Sequence, residues 1–357
     1  MKADAKRKMP LLLTGQSGFV GTNLIHAFHN DYDLFGLDIP QRDPAKVPPL
    51  PREKTFSWDM LDDLPAADTI IHLAGKAHDT ANVSAPEEYF EVNLELTKRI
   101  FDHFLQSKAT TFIFFSSVKA VADSVEDEIL TEEHAPDPKT PYGQSKLAAE
   151  QYIQDALSKY ASGKPPKEQD AESDKAGSTG GAFSDENPGK NKNPFEKRMY
   201  ILRPCMIHGP GNKGNLNLLY NIVRKGIPWP LGAFHNQRSF LSINNLAYVI
   251  RQLIEKEISP GTYQVADDEP VSTNELIHLI AKSLNRNARI WKLPPGIIRS
   301  IARTGDLLRL PLNSERLKKL TESYVVSNKK IKTALGIEKM PIPATDGMTH
   351  TLKSFGG

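Results

Sequence analysis

The sequence has little cysteine, no long apolar run and almost no net charge. Its one cysteine, Cys205, excludes a disulfide within the chain and favours a reducing, cytoplasmic setting. Its longest apolar runs, such as residues 112–115, are far too short to cross a bilayer, so we expect no membrane insertion. The formal net charge is +2 over 357 residues, which gives no general attraction to nucleic acid. The histidines and the cysteine have no metal-site spacing, and we expect no metal.

Two segments lack the apolar residues that a core requires. Residues 1–9 are basic and no apolar signal sequence follows them, so we expect a disordered leader or a cloning remnant rather than a targeting signal. Residues 163–193 are rich in lysine, glycine, serine and acidic residues, which predicts a disordered surface insertion at about 160–197. The lysines of this insertion alternate with acids and no aromatics lie between them, which disfavours nucleic-acid binding.

The first two hundred residues alternate short apolar strands with helical stretches. We predict strands at 10–14, 34–38, 69–73, 111–116 and 198–203, and helices at 19–29, 86–106, 141–158, 244–256, 273–284 and 296–310. Such alternation predicts a parallel sheet covered by helices on both faces, the doubly wound α/β class. We assign residues 1–204 and 239–268 to this dinucleotide-binding domain, and 205–238 and 269–357 to a smaller mixed α/β lobe.

Residues 14–21 read TGQSGFVG and lie between the first strand and the first helix. Gly15 permits a tight turn, Gly18 lets the backbone approach a pyrophosphate, and Gly21 lets the helix pack closely on the sheet. The free amides of the helix N-terminus favour phosphate binding. Asp38 ends the second strand, where a carboxylate accepts hydrogen bonds from the adenosine ribose and favours NAD over NADP. The pattern predicts a dinucleotide site.

Tyr142 and Lys146 are four residues apart in YGQSK and share one face of a predicted helix. A nearby ammonium would lower the pKa of the tyrosine from about 10, which suits proton transfer near neutral pH. Ser116 and Ser117 end a predicted strand, where a hydroxyl would hydrogen-bond a substrate oxygen beside Tyr142. The alternative is a surface Tyr/Lys pair and a polar strand end.

With these motifs, the landmarks WDM at 58–60, HLAG at 72–75, Asn93, RPCMIHGPG at 203–211 and RSFLSINNL at 238–246 make the chain resemble a known family. It is similar to the extended short-chain dehydrogenase/reductases, in particular the NAD-dependent nucleotide-sugar epimerases and dehydratases. The resemblance implies a Rossmann-type domain, NAD as cofactor, a nucleotide-sugar substrate and a homodimer built from the helices at 86–106 and 141–158.

The resemblance also assigns roles to residues. It makes Ser117, Tyr142 and Lys146 catalytic, with Ser116 a less favoured substitute for Ser117. The cofactor-binding residues it implies are Gly15, Ser17, Gly18, Phe19, Val20, Gly21, Asp38, Asp59, Met60, Leu73, Ala74, Gly75, Asn93, Tyr142, Lys146 and Arg203.

The predicted substrate-binding residues are Ser117, Lys119, Asn212, Lys213, Asn215, Arg238 and Arg316. Arg238 matches the family's arginine for the sugar-nucleotide diphosphate, and arginine suits phosphate recognition. The polar residues at 212–215 would hold diphosphate or uracil, or would be ordinary loop residues. Lys119 is either a phosphate contact or a surface residue, and Arg316 is a further phosphate candidate.

The residues after Ser117 bear on the reaction. The family's 4,6-dehydratases have an Asp-Glu pair there, whereas this chain has Val118 and Lys119, which are not equivalent acid and base groups. A 4-epimerase and a 4-keto reductase remain, and Asp38 favours NAD and therefore the epimerase. The chain has Val121 and Ala122 where many members have Tyr-Gly, and Met206 where many have asparagine. Because of these departures, the resemblance does not imply the family's standard hexose-binding mode for this chain.

A third possibility is an NAD-binding protein that has lost catalysis. Such a relative would be expected to lack one of Ser117, Tyr142 and Lys146, and this chain retains all three.

Overall fold

The computed structural model describes residues 8–39, 49–77, 85–125, 129–163, 196–212, 214–308 and 313–356. The start of the chain, most of the predicted insertion and Lys213 lie outside these residues. No helix in the described ranges is long and apolar enough to cross a membrane.

Eleven strands form three sheets in the described part of the chain. They are β1 (Met9–Thr14), β2 (Tyr32–Asp38), β3 (Thr55–Ser57), β4 (Thr69–His72), β5 (Thr111–Phe115), β6 (Ile129–Leu130), β7 (Arg198–Pro204), β8 (Met206–His208), β9 (Phe240–Ser242), β10 (Gly261–Val265) and β11 (Val325–Val326). The main sheet has seven parallel strands in the order β10-β7-β5-β4-β1-β2-β3. The predicted doubly wound sheet is confirmed, and it gains β3 and β10, which were not predicted.

The helices cover both faces of this sheet and build the lobe. They are α1 (Phe19–Phe28), α2 (Pro86–Phe90), α3 (Leu96–Gln106), α4 (Pro141–Ala161), α5 (Asn215–Arg224), α6 (Ile243–Glu255), α7 (Thr273–Ser283), α8 (Pro295–Leu308), α9 (Ser314–Thr321), α10 (Lys329–Leu335) and α11 (Ala344–Lys353). The single helix predicted at 86–106 is divided by a π-helical turn at Glu91–Glu95.

Alternation along β1, an inner strand, supplies side chains to both faces of the sheet. Leu11 and Leu13 pack in the cluster that contains residues of α1 and α6, whereas Leu12 packs with residues of α3 and α4. Helix α4 begins at Pro141, a residue pre-organised for a helix start, and the Thr140 hydroxyl accepts a hydrogen bond from the Gly143 amide at 3.3 Å. These contacts fix α4, which carries Tyr142 and Lys146, against the sheet.

A separate apolar core lies in the lobe, with side chains from α5, α7, α8, α9 and α11. The short β8–β9 pair joins the end of the main sheet to this lobe. Residues 324–340, which the sequence assigned to the lobe, contribute to the core of the main sheet instead, through side chains such as Tyr324, Ile331 and Met340.

Candidate active site

Several of the predicted site residues lie at or just after the carboxyl ends of strands in the main sheet. β1, β2, β4 and β5 end there at Thr14, Asp38, His72 and Phe115. The strand order reverses between β1 and β4, and ligands of open α/β sheets bind in the crevice at such a reversal.

The glycine turn leaves little room for side chains. Gly15 has φ +69°, and a Cβ there would lie 2.8 Å from the Ala74 backbone. A Cβ on Gly21 would lie 2.5 Å from the Gly15 carbonyl oxygen, so α1 packs closely on the turn. Gly18 is exposed, and no side chain of the described residues caps α1. The amides of its first turn are therefore left for an anion, which fits a dinucleotide phosphate.

Asp38 is half-buried beside this turn. Its carboxylate accepts hydrogen bonds from the Ser17 amide at 2.9 Å and the Ile39 amide at 2.8 Å. The two amides fix the carboxylate next to the glycine turn, where an acceptor for ribose hydroxyls is expected.

A buried hydrogen-bonded chain runs beneath the crevice from Thr14 through His72 to Thr97. Thr14 Oγ1 lies 2.6 Å from His72 Nδ1, and His72 Nε2 lies 2.9 Å from Thr97 Oγ1. Because the Thr97 hydroxyl donates to the Asn93 carbonyl, we assign Nε2 as the donor to Thr97 and Nδ1 as the acceptor from Thr14. Burial and the charge of Lys146 hold the pKa of His72 well below its usual value, so the imidazole is neutral.

Asn93 lies in the π-helical turn and is fully buried. Its side-chain oxygen accepts from the Lys76 amide at 2.7 Å, and its amide group donates to the Lys76 carbonyl at 3.1 Å and to Ser145 Oγ at 3.0 Å. The turn thereby ties the loop after β4 to α4, and π-turns of this kind are frequent at functional sites.

Lys146 is 5% exposed and extends to the end of β5. Its ammonium donates to the Phe115 carbonyl at 2.8 Å, and a Cβ on Gly75 would lie 2.9 Å from Nζ. Burial lowers the pKa of Lys146 to about 8, and the Glu150 carboxylate opposes that shift. The lysine is therefore positioned between the sheet edge and the loop at Gly75.

Tyr142 hydrogen-bonds the Ser117 side chain, so the structure brings these two predicted catalytic groups together. Burial raises the pKa of Tyr142, and the Ser117 bond opposes the rise. The expectation that Lys146 lowers this pKa is wrong here, because burial has the larger effect and the ammonium is bound to the Phe115 carbonyl. The ring of Tyr89, which the sequence did not indicate, meets the Tyr142 ring edge-on at 6.4 Å between centroids.

Glu150 is buried, and its carboxylate binds two other predicted site residues. The Ser116 hydroxyl donates to its carboxylate, and Arg203 binds both oxygens, with Nε to Oε1 at 2.9 Å. Ser116 is thus engaged away from Tyr142, which leaves Ser117 as the serine of the pair. The Arg203 guanidinium is likewise held in this ion pair, so the structure gives no support for a cofactor contact by that group.

Lys119 and Arg238 lie near each other on the lobe side. Lys119 Nζ donates to the Asp123 carbonyl and lies 4.2 Å from the centre of the Tyr324 ring. Arg238 binds Glu322 through Nη2 and Oε1 at 3.2 Å. Burial lowers the pKa of Lys119, and the charges of Glu322 and Arg238 also act on it. The sequence analysis indicated neither Glu322 nor Tyr324 as part of this group.

The remaining predicted substrate-binding residues lie in a loop and on two helices, α5 and α9. Asn212 is half-buried and its amide donates to the Gly209 carbonyl at 3.1 Å, while Asn215 is exposed at the start of α5. Arg316 is exposed on α9.

The other predicted cofactor residues follow β3 and β4 or begin α1. Asp59 and Met60 are exposed on a short helical turn after β3. The exposed Asp59 carboxylate accepts from the Ser57 hydroxyl, which lowers its pKa. The half-buried pairs at 19–20 and 73–74 begin α1 and follow β4.

Known proteins match this chain over most of its length. Residues 11–164 match the model of the NAD dependent epimerase/dehydratase family. The chain is 31% identical over 300 residues to a UDP-glucose 4-epimerase of Vibrio cholerae, covering 81% of this chain and 80% of that protein. It is 26% identical over 292 residues to an N-acetyl-alpha-D-glucosaminyl-diphospho-ditrans,octacis-undecaprenol 4-epimerase of Escherichia coli O157:H7, covering 80% and 75%.

The fold has solved counterparts. The crystal structure of UDP-glucose 4-epimerase from Thermus thermophilus, complexed with NAD, aligns with a TM-score of 0.67 at 19% identity, covering 98% of this chain and 99% of that chain. The structural likeness establishes the fold, and the Vibrio cholerae relative establishes kinship over most of both sequences. The chain belongs to the NAD-dependent epimerase/dehydratase family.

Proposed function

We propose that this chain is a nucleotide-sugar 4-epimerase that acts on a UDP-hexose or UDP-N-acetylhexosamine by transient oxidation at C4. The observation that carries the proposal is the hydrogen bond between Tyr142 and Ser117 at the carboxyl edge of the sheet, with Lys146 bound to the end of β5 one turn along α4. A proton-transfer group beside a dinucleotide site is what oxidation of a sugar hydroxyl requires.

NAD, when bound, supplies a hydride acceptor and donor. The open amides at Gly18 and α1 would hold its phosphates, and Asp38 would accept from its adenosine ribose. Lys146 would hold the nicotinamide ribose, as the family resemblance implies. A Cβ at Gly15 would meet the Ala74 backbone at 2.8 Å and one at Gly75 would meet Lys146 Nζ at 2.9 Å, so glycine lets the turn and the loop after β4 pack closely here.

Tyr142 is the group that moves the proton. As phenolate it takes the proton of the C4 hydroxyl when the sugar is oxidised. The 4-keto sugar then rotates, so that its opposite face is turned toward the cofactor site. Tyr142 finally returns the proton to the same oxygen. Ser117, hydrogen-bonded to Tyr142, steadies that oxygen. Lys146 lies one turn further along α4 and keeps its ammonium on the Phe115 carbonyl at the end of β5.

The residues after Ser117 do not favour elimination of water. Val118 is buried and cannot exchange protons, and Lys119 is held by the Asp123 carbonyl and the Tyr324 ring. An acid and base pair for a 4,6-dehydratase is therefore missing from these two positions.

Two relatives support reaction at C4 of a sugar diphosphate. One is named for UDP-glucose, the other for an N-acetylglucosaminyl-diphospho-lipid, and both are 4-epimerases. Arg238 is the residue that we propose for the diphosphate, because its charge acts on Lys119, two residues after Ser117, and a guanidinium suits phosphate recognition. A 4-keto reductase is the second candidate. The Asp38 carboxylate beside the ribose position disfavours the extra phosphate of NADP, the usual cofactor of biosynthetic reductases.

A turnover assay without added cofactor tests the proposal. Purified protein would be given UDP-Glc or UDP-GlcNAc and the products resolved by NMR. Formation of the galacto isomer over many turnovers supports the epimerase. No turnover, together with NAD(P)H-dependent consumption of a 4-keto-6-deoxy sugar, would assign the reductase instead. Tyr142→Phe should still bind cofactor and lose most turnover, and near-normal turnover in this variant would contradict the mechanism.

A further inference from the structure

Asp123 joins the two chain segments that carry the hydrogen bond between Ser117 and Tyr142. Ser117 caps the short helical turn that leads to Asp123, and Tyr142 is the second residue of α4. The half-buried Asp123 carboxylate accepts hydrogen bonds from the Lys139 amide at 2.6 Å, the Thr140 amide at 3.1 Å and the Thr140 hydroxyl at 2.9 Å. One side chain therefore fastens the residues immediately before α4 to the segment that follows Ser117.

Thr140 connects Asp123 to the first turn of α4. Its hydroxyl donates to the Asp123 carboxylate and accepts a hydrogen bond from the Gly143 amide at 3.3 Å. Since a threonine hydroxyl has one hydrogen and two lone pairs, it can hold both bonds at once. The bond to Gly143 is an N-cap, which fixes the start of the helix. Tyr142 lies between Thr140 and Gly143 in the chain, so its backbone is fixed on both sides.

The same two segments approach each other closely at the backbone. A Cβ on Gly143 would lie 2.3 Å from the Lys119 carbonyl oxygen. The Asp137 amide donates to the Val121 carbonyl at 2.8 Å. Closely packed groups transmit a displacement to their neighbours. Loss of the bonds at Asp123 would therefore move one segment relative to the other.

The Ser117 hydroxyl depends on this arrangement, because its own turn occupies part of its bonding capacity. The Lys119 amide donates to Ser117 Oγ at 3.1 Å, which leaves the hydroxyl hydrogen for another partner. Tyr142 is bonded to this side chain, and the bond opposes the rise that burial causes in the pKa of Tyr142. Hydrogen bonds weaken steeply as their geometry departs from the preferred distance and angle. The help that Ser117 gives to Tyr142 thus depends on how the two segments are aligned.

We propose that Asp123 is a positioning residue that sets the distance and angle between the Ser117 hydroxyl and the Tyr142 phenol. It acts through Thr140 and the start of α4, and not by contact with the reacting atoms. A misplacement of about 1 Å can slow an enzymatic reaction about a hundredfold, so the alignment matters for turnover. The effect on turnover rests on the proposed function, whereas the effect on the distance between the two side chains does not.

Two substitutions of Asp123 separate the hydrogen bonds from the charge. With the UDP-sugar that the wild type turns over, Asp123→Ala should lower kcat about ten- to a hundredfold and change KM by less than about twofold. Asp123→Asn removes the charge and keeps the shape. Its side-chain oxygen can accept from the two backbone amides, and its NH2 group can donate to the Thr140 hydroxyl, so kcat should stay within about threefold of the wild type. Equal losses in the two variants would contradict the proposal.

Thr140 allows the same link to be tested from its other end. Thr140→Val loses both hydroxyl bonds and should lower kcat in the same direction as Asp123→Ala, whereas Thr140→Ser keeps the hydroxyl and should behave as the wild type does. Wild-type kcat in Thr140→Val would contradict a link through this hydroxyl.

Glu275→Ala is the matched control, because a carboxylate holds the start of α7 in a similar way. Glu275 accepts from the Ser272 amide at 2.7 Å, and the Ser272 hydroxyl accepts from the Glu275 amide at 3.1 Å. The control should lower the midpoint of urea unfolding and leave kcat unchanged. A loss of kcat equal to that of Asp123→Ala would show that damage to any helix start reduces turnover, and the proposal would be withdrawn.

Crystal structures of the wild type and Asp123→Ala give a readout that does not depend on the reaction. The Tyr142 phenol oxygen and Ser117 Oγ should lie within hydrogen-bond distance in the wild type and beyond about 3.5 Å in the variant. Thr140→Val takes the place of Asp123→Ala if the latter does not fold. An unchanged distance would overturn the proposal. A longer distance would support it even where no sugar is turned over, and the failure would then belong to the proposed function alone.

Discussion

Glu150 lies one helical turn after Lys146 on α4, and the two buried side chains are electrostatically coupled. Burial lowers the pKa of the lysine, whereas the carboxylate favours its charged form. The same carboxylate binds Arg203 on β7 and accepts from Ser116, the neighbour of Ser117. Glu150 thus positions both sides of the site without occupying the crevice.

Glu150→Gln should move the alkaline limb of the pH–rate profile to lower pH. The carboxylate stabilises the ammonium, so its removal lowers the pKa of Lys146 below about 8 and the lysine loses its charge earlier. The variant should also lose roughly 3–5 kcal/mol of unfolding free energy, because Arg203 is left buried and unpaired. kcat/KM against pH and urea denaturation measure the two effects.

A double variant separates the effect of Glu150 on the pKa of Lys146 from its effect on the free energy of unfolding. Glu150→Gln/Arg203→Met removes both charges and should regain much of the stability while keeping the shifted profile. Asp33→Asn, which breaks the exposed pair with Lys54, should cost about 0.2–1 kcal/mol and leave the profile unchanged. An unshifted profile in the folded double variant would show that Glu150 does not tune Lys146.

Lys146→Met should abolish most activity and yet stabilise the protein at neutral pH. The native pKa of about 8 lies below the ordinary 10.5, so at pH 7 the folded state bears the full cost of a buried ammonium. We expect a gain of about 1–2 kcal/mol, after allowance for the lost hydrogen bond to Phe115.

The pH dependence of the difference in unfolding free energy between the wild type and Lys146→Met tests this prediction. Between pH 8 and 10.5 the unfolded wild type binds more protons at Lys146 than the folded one, so wild-type stability rises with pH relative to the variant. The difference measured by urea denaturation should therefore shrink from about pH 7 to about pH 9.5. A constant difference across this window would rule out the buried ammonium as its cause.

Gly75→Ala should reduce turnover more than tenfold and change stability little. The new Cβ would lie 2.9 Å from both Lys146 Nζ and Asn93 Oδ1, so the lysine must move, while Gly75 itself is exposed. Gly296→Ala is the control, because nothing lies within 4 Å of its Cβ position on α8. The control should keep activity and gain about 0.5–1 kcal/mol in unfolding free energy. Equal activities of the two variants would contradict a required Lys146 position.

Local sequence predicted the parts of this site that are close along the chain. A strand, a glycine turn and a helix are sequential, so TGQSGFVG and Asp38 could be placed from the order of the residues alone. The shared helix face likewise placed Tyr142 near Lys146, and the same period could have indicated Glu150.

Pairings that depend on tertiary register were not predictable in this way. The contact of Thr14 with His72 depends on how β1 and β4 align, and Arg238 meets Glu322 across 84 residues of chain. The pKa of Tyr142 was predicted to fall because the ammonium was visible in the sequence and burial was not. The π-turn at Asn93 also carries no composition signal, because it is stabilised by contacts with Lys76 and Ser145.

Asn93→Ala should weaken both folding and cofactor binding. The substitution removes the side chain that bonds the Lys76 amide and carbonyl. Losing a partner of this kind lowers the free energy of unfolding by about 1–3 kcal/mol. The loop at residues 73–76 should then shift from the crevice, and NAD affinity should fall several-fold. Thermal unfolding and NAD titration of the apoprotein measure these effects. Unchanged NAD affinity in a destabilised variant would limit Asn93 to a structural role.

Glu322→Gln should tighten the binding of UDP. In the structure the Arg238 guanidinium is bound to the Glu322 carboxylate, so a diphosphate must compete with that carboxylate for the same charge. Removing this partly exposed charge partner should make the binding free energy of UDP more favourable by about 1 kcal/mol. The Kd for UDP would then be roughly fivefold lower. Glu315→Gln, which removes an exposed charge on α9 paired with Lys319, should leave the Kd unchanged, and Arg238→Gln should raise it. Weaker UDP binding by Glu322→Gln in calorimetry would mean that the carboxylate orients Arg238 for the substrate instead of competing with it.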